Sequence, residues 1–143
     1  MSMKAPKILL ITENPMGMSF LAARLKKWAC EIHFASSRKI ANVLVSKQRF
    51  DLVLSEFGLW NESSNPLAAL LIGSNTTLVY SYPVETGCWW LPAVMNGKPC
   101  WGSLVMQPSE FISFLDDFLK QLGSRERTNL DEFGDILFNA MAK

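Results

Sequence analysis

The chain alternates between short apolar runs and stretches in which apolar residues recur every three or four positions. Residues 7–12 (KILLIT) are nearly continuous in apolar character, the pattern of a strand buried on both faces. Asn14 and Pro15 then supply an N-cap and a first-turn proline, and Met18, Leu21, Leu25 and Trp28 repeat at helical spacing. The cycle returns in residues 30–35 (CEIHFA), which alternate as a strand does. Ser36 or Ser37 can cap the helix that follows, whose inward face is carried by Ile40, Val43, Leu44 and the stem of Lys47. Residues 51–55 (DLVLS) predict a third strand. A polar loop over 61–65 leads through Pro66 to a brief helix over 67–72, stopped by Gly73. Residues 76–81 (TTLVYS) predict a fourth strand.

A fifth strand is predicted over 102–106 (GSLVM). Pro108 and Ser109 open a helix with Phe111, Phe114, Leu115, Phe118, Leu119 and Leu122 along one face, ending at Gly123. Strands separated by helices favour parallel pairing through right-handed crossovers, so the expected class is α/β with a doubly wound, five-stranded parallel sheet. One link breaks the rhythm. Between residues 81 and 102, where a fourth helix belongs, the chain reads YPVETGCWWLPAVMNGKPCW. Its Pro83, Pro92 and Pro99, with the Asn96-Gly97 pair, predict an irregular loop or a hairpin turned at Asn-Gly. Beyond Gly123, Thr128 and Asp131 have capping-box spacing, and Leu130, Phe133, Leu137 and Ala140 can share a helical face. The expected organisation is a domain over residues 1–123 and a C-terminal helical extension over 124–143, packed on its own sheet or on a second copy.

Composition narrows the chemistry. In 143 residues there are 14 Lys and Arg against 13 Asp and Glu, a net charge of +1, which argues against nucleic acid or an anionic membrane surface as a partner. Three cysteines without CxxC spacing and a single histidine indicate neither a disulfide framework nor a zinc site. Buried soft side chains are the simpler reading of Cys88, Cys100 and His33 than a metal site. The apolar runs fall far short of the roughly 20 residues that span a bilayer, and the N-terminus lacks a signal-peptide pattern, so a reduced cytoplasmic protein is expected. No Gly-x-Ser-x-Gly, Walker or Cys/His motif points to an enzyme. Five Trp, nine Phe and seven Met exceed what one core of this size requires.

In doubly wound sheets ligands bind at the carboxyl ends of the strands, which draws attention to Glu13, Asn14, Glu56, Ser81 and Gln107. At this point KILLITEN, DLVLSEFGLW, VYSYP and VMQPSEF, in that order over roughly residues 5–122, resemble the receiver domain of bacterial response regulators. The resemblance implies the flavodoxin-like strand order 2-1-3-4-5. It also implies a site in which acidic residues after the first strand and an aspartate after the third bind Mg²⁺, the aspartate takes up phosphate, a hydroxyl after the fourth senses it, and a lysine before proline pairs with it. Glu13 and Ser81 fit that pattern. Asn14 stands at the second acidic position, Glu56 replaces the phosphoacceptor aspartate, and Gln107, followed by Pro108, replaces the lysine. An amide brings no charge to a phosphoryl group. Lys98 precedes Pro99 but lies about nine residues too early, as a turn residue beside Gly97.

Glu56 thus admits three readings: a leftover carboxylate at a solvated strand end, a built-in mimic of the phosphorylated state, or, with Glu13 and the Gly58 carbonyl, a weak Mg²⁺ ligand. Trp89, Trp90 and Trp101, with Trp60, either cover the sheet in place of the missing helix or form a contact surface. Adjacent residues on extended backbone point opposite ways, so one of Trp89 and Trp90 is expected at the surface. A flavin is disfavoured, because TENPMGM lacks a phosphate-cradling loop. The expectation is a pseudo-receiver without catalytic residues or an obligatory cofactor. It acts on a signalling partner, or as a homodimer, through the last strand and helix, the Trp-rich link and the C-terminal helix with Phe133 and Leu137. The alternatives are an atypical Mg²⁺-dependent phosphoacceptor and a small-ligand sensor built on the Trp-rich link.

Overall fold

The structure, a computed structural model, describes residues 5–56, 66–84, 87–100 and 105–128. It is a mixed α/β fold around one sheet. Strand β1 (Lys7–Ile11) leads through a 3-10 turn (Pro15–Met18) into helix α1 (Ser19–Lys26). Strand β2 (Glu31–Ala35), helix α2 (Arg38–Lys47) and strand β3 (Leu52–Glu56) follow. Helix α3 (Pro66–Leu71) precedes strand β4 (Thr77–Val84). Strands β5 (Gly87–Met95) and β6 (Lys98–Pro99) precede helix α4 (Pro108–Thr128). The strand order is β2-β1-β3-β4-β5-β6.

The first four strands of that order pair in parallel. β1 is central and loses both faces to helices, which is why its sequence is apolar without alternation. Ile8, Leu10, Leu52, Leu54, Val79 and Trp90 pack on one face against Leu21 and Leu25 of α1 and Phe111, Leu115 and Leu119 of α4. Leu9, Ile11, Val53, Leu78, Tyr80 and Val94 fill the other, beneath Ala41 of α2 and Leu67 and Leu71 of α3. Ser37 caps α2, its hydroxyl accepting from the Ile40 N–H at 3.2 Å. Arg24 and the Trp28 indole both donate to the Asp116 carboxylate, which ties α1 to α4 on the first face.

The second half of the sheet differs from expectation. Instead of five parallel strands, the described residues form a six-stranded sheet, in which β5 runs antiparallel to β4. The link after residue 81 is therefore a hairpin and not an irregular loop. β4 continues through Pro83, and the chain returns as β5 in the place beside β4 that a parallel fifth strand would occupy. Pro92, which has no N–H to give a ladder, sits where the register shifts by one residue between Leu78 and Val79. A second reversal at Asn96 (φ 52°) and Gly97 (φ 83°) gives the two successive positive φ values of a type I′ hairpin turn. Of the segment read as strand five, residues 102–104 lie outside the described residues, and Met106 makes a single antiparallel bridge to Trp90 on the outer side of β5. The end of the last helix also moves: α4 runs through Gly123 to Thr128, so the boundary expected at 123 falls inside a helix. The C-terminal helix with Phe133 and Leu137 lies outside the described residues, as do Gly58, Trp60 and Trp101.

Candidate functional site

The parallel strands β1, β3 and β4 end together, and their register builds the candidate site. Ile11 is opposite Ser55, and Glu56 is opposite Ser81. Side chains alternate along each strand, so Thr12, Glu56 and Ser81 share the face that carries Leu10, Leu54 and Val79. Thr12 and Ser81 are buried, and Glu56 is half-buried at the rim. The Glu56 carboxylate is not idle: its Oε1 accepts from the Glu13 backbone N–H at 3.1 Å, closing the loop after β1 onto the end of β3. Glu13 and Asn14 are exposed. The Asn14 N–H donates to the Thr12 hydroxyl at 2.9 Å, a local turn just ahead of the 3-10 turn at Pro15.

The structure thus brings Glu13, Glu56 and Ser81 together and separates Gln107 from them. Ser81 pairs with Trp90, and Trp90 bridges to Met106 through two backbone hydrogen bonds of 2.8 Å. With neighbouring strands about 4.8 Å apart, Gln107 lies roughly two strand spacings from Ser81 and three from Glu56. β5 fills the interval. Gln107 instead caps α4, its backbone N–H donating to the Glu110 carboxylate at 2.8 Å. Between Ser81 and Gln107 the surface is closed by Trp90, stacked on Phe111 at 3.9 Å and 6°.

Thr12 is the residue that the sequence reading passed over. Its signal in the sequence is a hydroxyl directly after an apolar run, one step before Glu13. Among the described residues neither Glu13 nor Glu56 has an ion-pair partner. No three His, Cys, Asp or Glu side chains converge among the described residues, so Glu13 and Glu56 stand as two carboxylates without a third. The Cys88, Cys100 and His33 combination is not assembled: β2 and β5 are four strand spacings apart, roughly 19 Å. His33 contacts Glu31 at 2.6 Å, holding that carboxyl below its ordinary range. Burial pushes the Cys88 thiol up, and pushes Cys30 up to about 11, which keeps both protonated and unreactive at neutral pH.

The tryptophan pair divides as extended backbone requires. Trp90 is buried, so it belongs to the core and not to a contact surface. Trp89 is 41% exposed, directly opposite Tyr82 on β4. A groove lined by Val45, Lys47, Arg49, Leu70 and Ser74 lies at the opposite, amino end of the sheet and shares no residue with this row. Among the described residues no helix is long and apolar enough to cross a membrane. No family model matches the chain, and no curated protein matches it.

Proposed function

We propose that the protein is a receiver-like signalling module that works through protein contacts and does not take up phosphate in the usual way. The observation that carries this reading is the pairing of a retained carboxylate with a displaced partner. Glu56 sits at the end of β3 with its carboxylate committed to the Glu13 N–H, while β5 stands between Ser81 and Gln107. Phosphoryl transfer depends on charges held around the transferred group, and here the position of the expected lysine holds a neutral amide on the far side of an extra strand. The strand–helix alternation through β4 and the order β2-β1-β3-β4 support the resemblance, with an antiparallel strand in fifth position. Tyr82 and Trp89, exposed on the hairpin just beyond this row, supply aromatic area for a partner. Three cysteines, an odd number without CxxC spacing, favour a reducing, cytoplasmic setting.

The test is backbone NMR of the full chain with Mg²⁺ and beryllofluoride, a phosphoryl mimic. The amides of Glu13, Glu56 and Ser81 are expected to stay in place. Saturable shifts at these three would overturn the reading and favour a working phosphoacceptor.

A further inference from the structure

The β2 edge of the sheet carries its own information. β2 is the terminal strand, and among the described residues nothing pairs with its outer side. Glu31 donates to the Pro6 carbonyl and Ala35 accepts from the Thr12 N–H, so residues 31, 33 and 35 direct their backbone groups to β1. The N–H and C=O groups of Ile32 and Phe34 therefore point outward. Such an edge is ordinarily guarded by charged side chains, Pro, a bulge or shortness; this five-residue strand has one charge, Glu31 at its start, and no Lys, Pro or bulge along residues 32–35. Phe34 is 45% exposed on one face. On the other, Ala41 of α2 is buried with Leu44 and Val45 packed against the same core, which leaves Ile40 and Val43 on the helix flank, 44% and 46% exposed. The right-handed crossover from β2 to β3 turns that flank toward the β2 edge.

We propose that β2 pairs antiparallel with β2 of a second copy, about a two-fold axis at His33, joining two sheets into one. This does not rest on the receiver reading. The register is self-complementary. Residues with outward backbone groups must meet each other, and pairing about His33 sets Ile32 opposite the partner's Phe34, twice, with all four side chains on one face. Glu31 then falls opposite the partner's Ala35, next to the partner's Arg38 and Lys39 at the start of α2, which complements its charge. Ile40 and Val43 meet their counterparts across the axis. A foreign strand would satisfy the backbone but not this twofold match. A standard interface takes roughly 800 Å² and 20 to 30 residues from each partner. One five-residue strand with a helix flank supplies fewer, so this dimer dissociates on dilution.

The register makes a sharp test. Across the axis, residue 33 faces itself in a non-hydrogen-bonded pair, with Cα atoms about 4.5 Å apart. That is within the roughly 4.4–6.8 Å that a disulfide spans. Residue 31 and its counterpart lie four residues out of register, about 13 Å apart. Under mild oxidation His33→Cys is expected to give at least tenfold more covalent dimer than Glu31→Cys or the wild type. By sedimentation velocity the wild type is expected to shift from monomer to dimer with concentration. Phe34→Lys is expected to stay monomeric while keeping the far-UV circular dichroism of the fold. A wild type that is monomeric throughout, equal cross-linking at positions 31 and 33, or a Phe34→Lys variant that dimerises as the wild type does would each overturn the proposal.

Discussion

Replacing Gly97 and Gly73 separately by Ala isolates what the turn after β5 contributes. Both glycines have positive φ, 83° and 94°, so both substitutions carry the left-handed cost of about 1–2 kcal/mol. That cost is offset by roughly 0.4–1 kcal/mol from the stiffer unfolded chain. They differ in surroundings. A Cβ on Gly73 meets nothing within 4 Å, whereas one on Gly97 falls 1.9 Å from the Ser74 carbonyl oxygen. Because that oxygen belongs to backbone, the turn itself must move. Two hydrogen bonds then go: Gly73 N–H to the Gly97 carbonyl at 2.9 Å, and Gly97 N–H to the Thr76 carbonyl at 3.0 Å. At about 1 kcal/mol each, their loss takes Gly97→Ala to about 3 kcal/mol, against about 1 kcal/mol or less for Gly73→Ala. With a urea slope of about 2 kcal/mol/M, the midpoints drop by roughly 1.5 M and less than 0.5 M. Equal shifts for the two variants would refute the contact and leave only backbone conformation.

Two further predictions probe the packing. Trp90→Ala removes a buried ring stacked on Phe111 and is expected to cost about 3–5 kcal/mol by chemical denaturation. Trp89→Ala, at the surface, is expected to cost under about 1 kcal/mol. Reversal of that ranking would exchange the faces of β5. The Arg24 guanidinium, helped by the Trp28 indole, holds the Asp116 carboxyl below its ordinary range against the opposing effect of burial. A depressed carboxyl stabilises the fold above its unfolded pKa, and the contribution is lost as pH falls through the lower folded value. The denaturation midpoints of wild type and Asp116→Asn should therefore differ at neutral pH and converge in acid. A gap that persists unchanged into acid would show that the pair's charge contributes nothing.

How much of this was legible in the sequence depends on where burial is symmetric. β1 and β3 are covered on both faces, and their unbroken apolar runs marked them directly. α2 was announced by Ser37, and the turn at Asn96-Gly97 by residues that tolerate positive φ. β5 was hidden because Pro92 argues against a central strand, and only the register shift beside it makes room. The C-terminal limit of α4 was misplaced because Gly123 reads as a stop, yet helix formers such as Arg125 and Glu126 follow it. For the site, linear order placed Glu56 and Ser81 correctly as neighbours. It could not place Gln107, since inserting a strand moves a residue sideways by one spacing without changing what precedes or follows it. Thr12 escaped notice because its hydroxyl acts on the backbone of Asn14, a role that composition does not reveal.

The central proposal is that the carboxyl end of this sheet does not accept a phosphoryl group. Its most direct test is the intact mass of the full chain after incubation with acetyl phosphate and Mg²⁺, followed by peptide mapping. The account predicts an unchanged mass in wild type and in Glu56→Gln alike. Addition of one phosphoryl group to wild type, mapped to Glu56 and absent from Glu56→Gln, would contradict it.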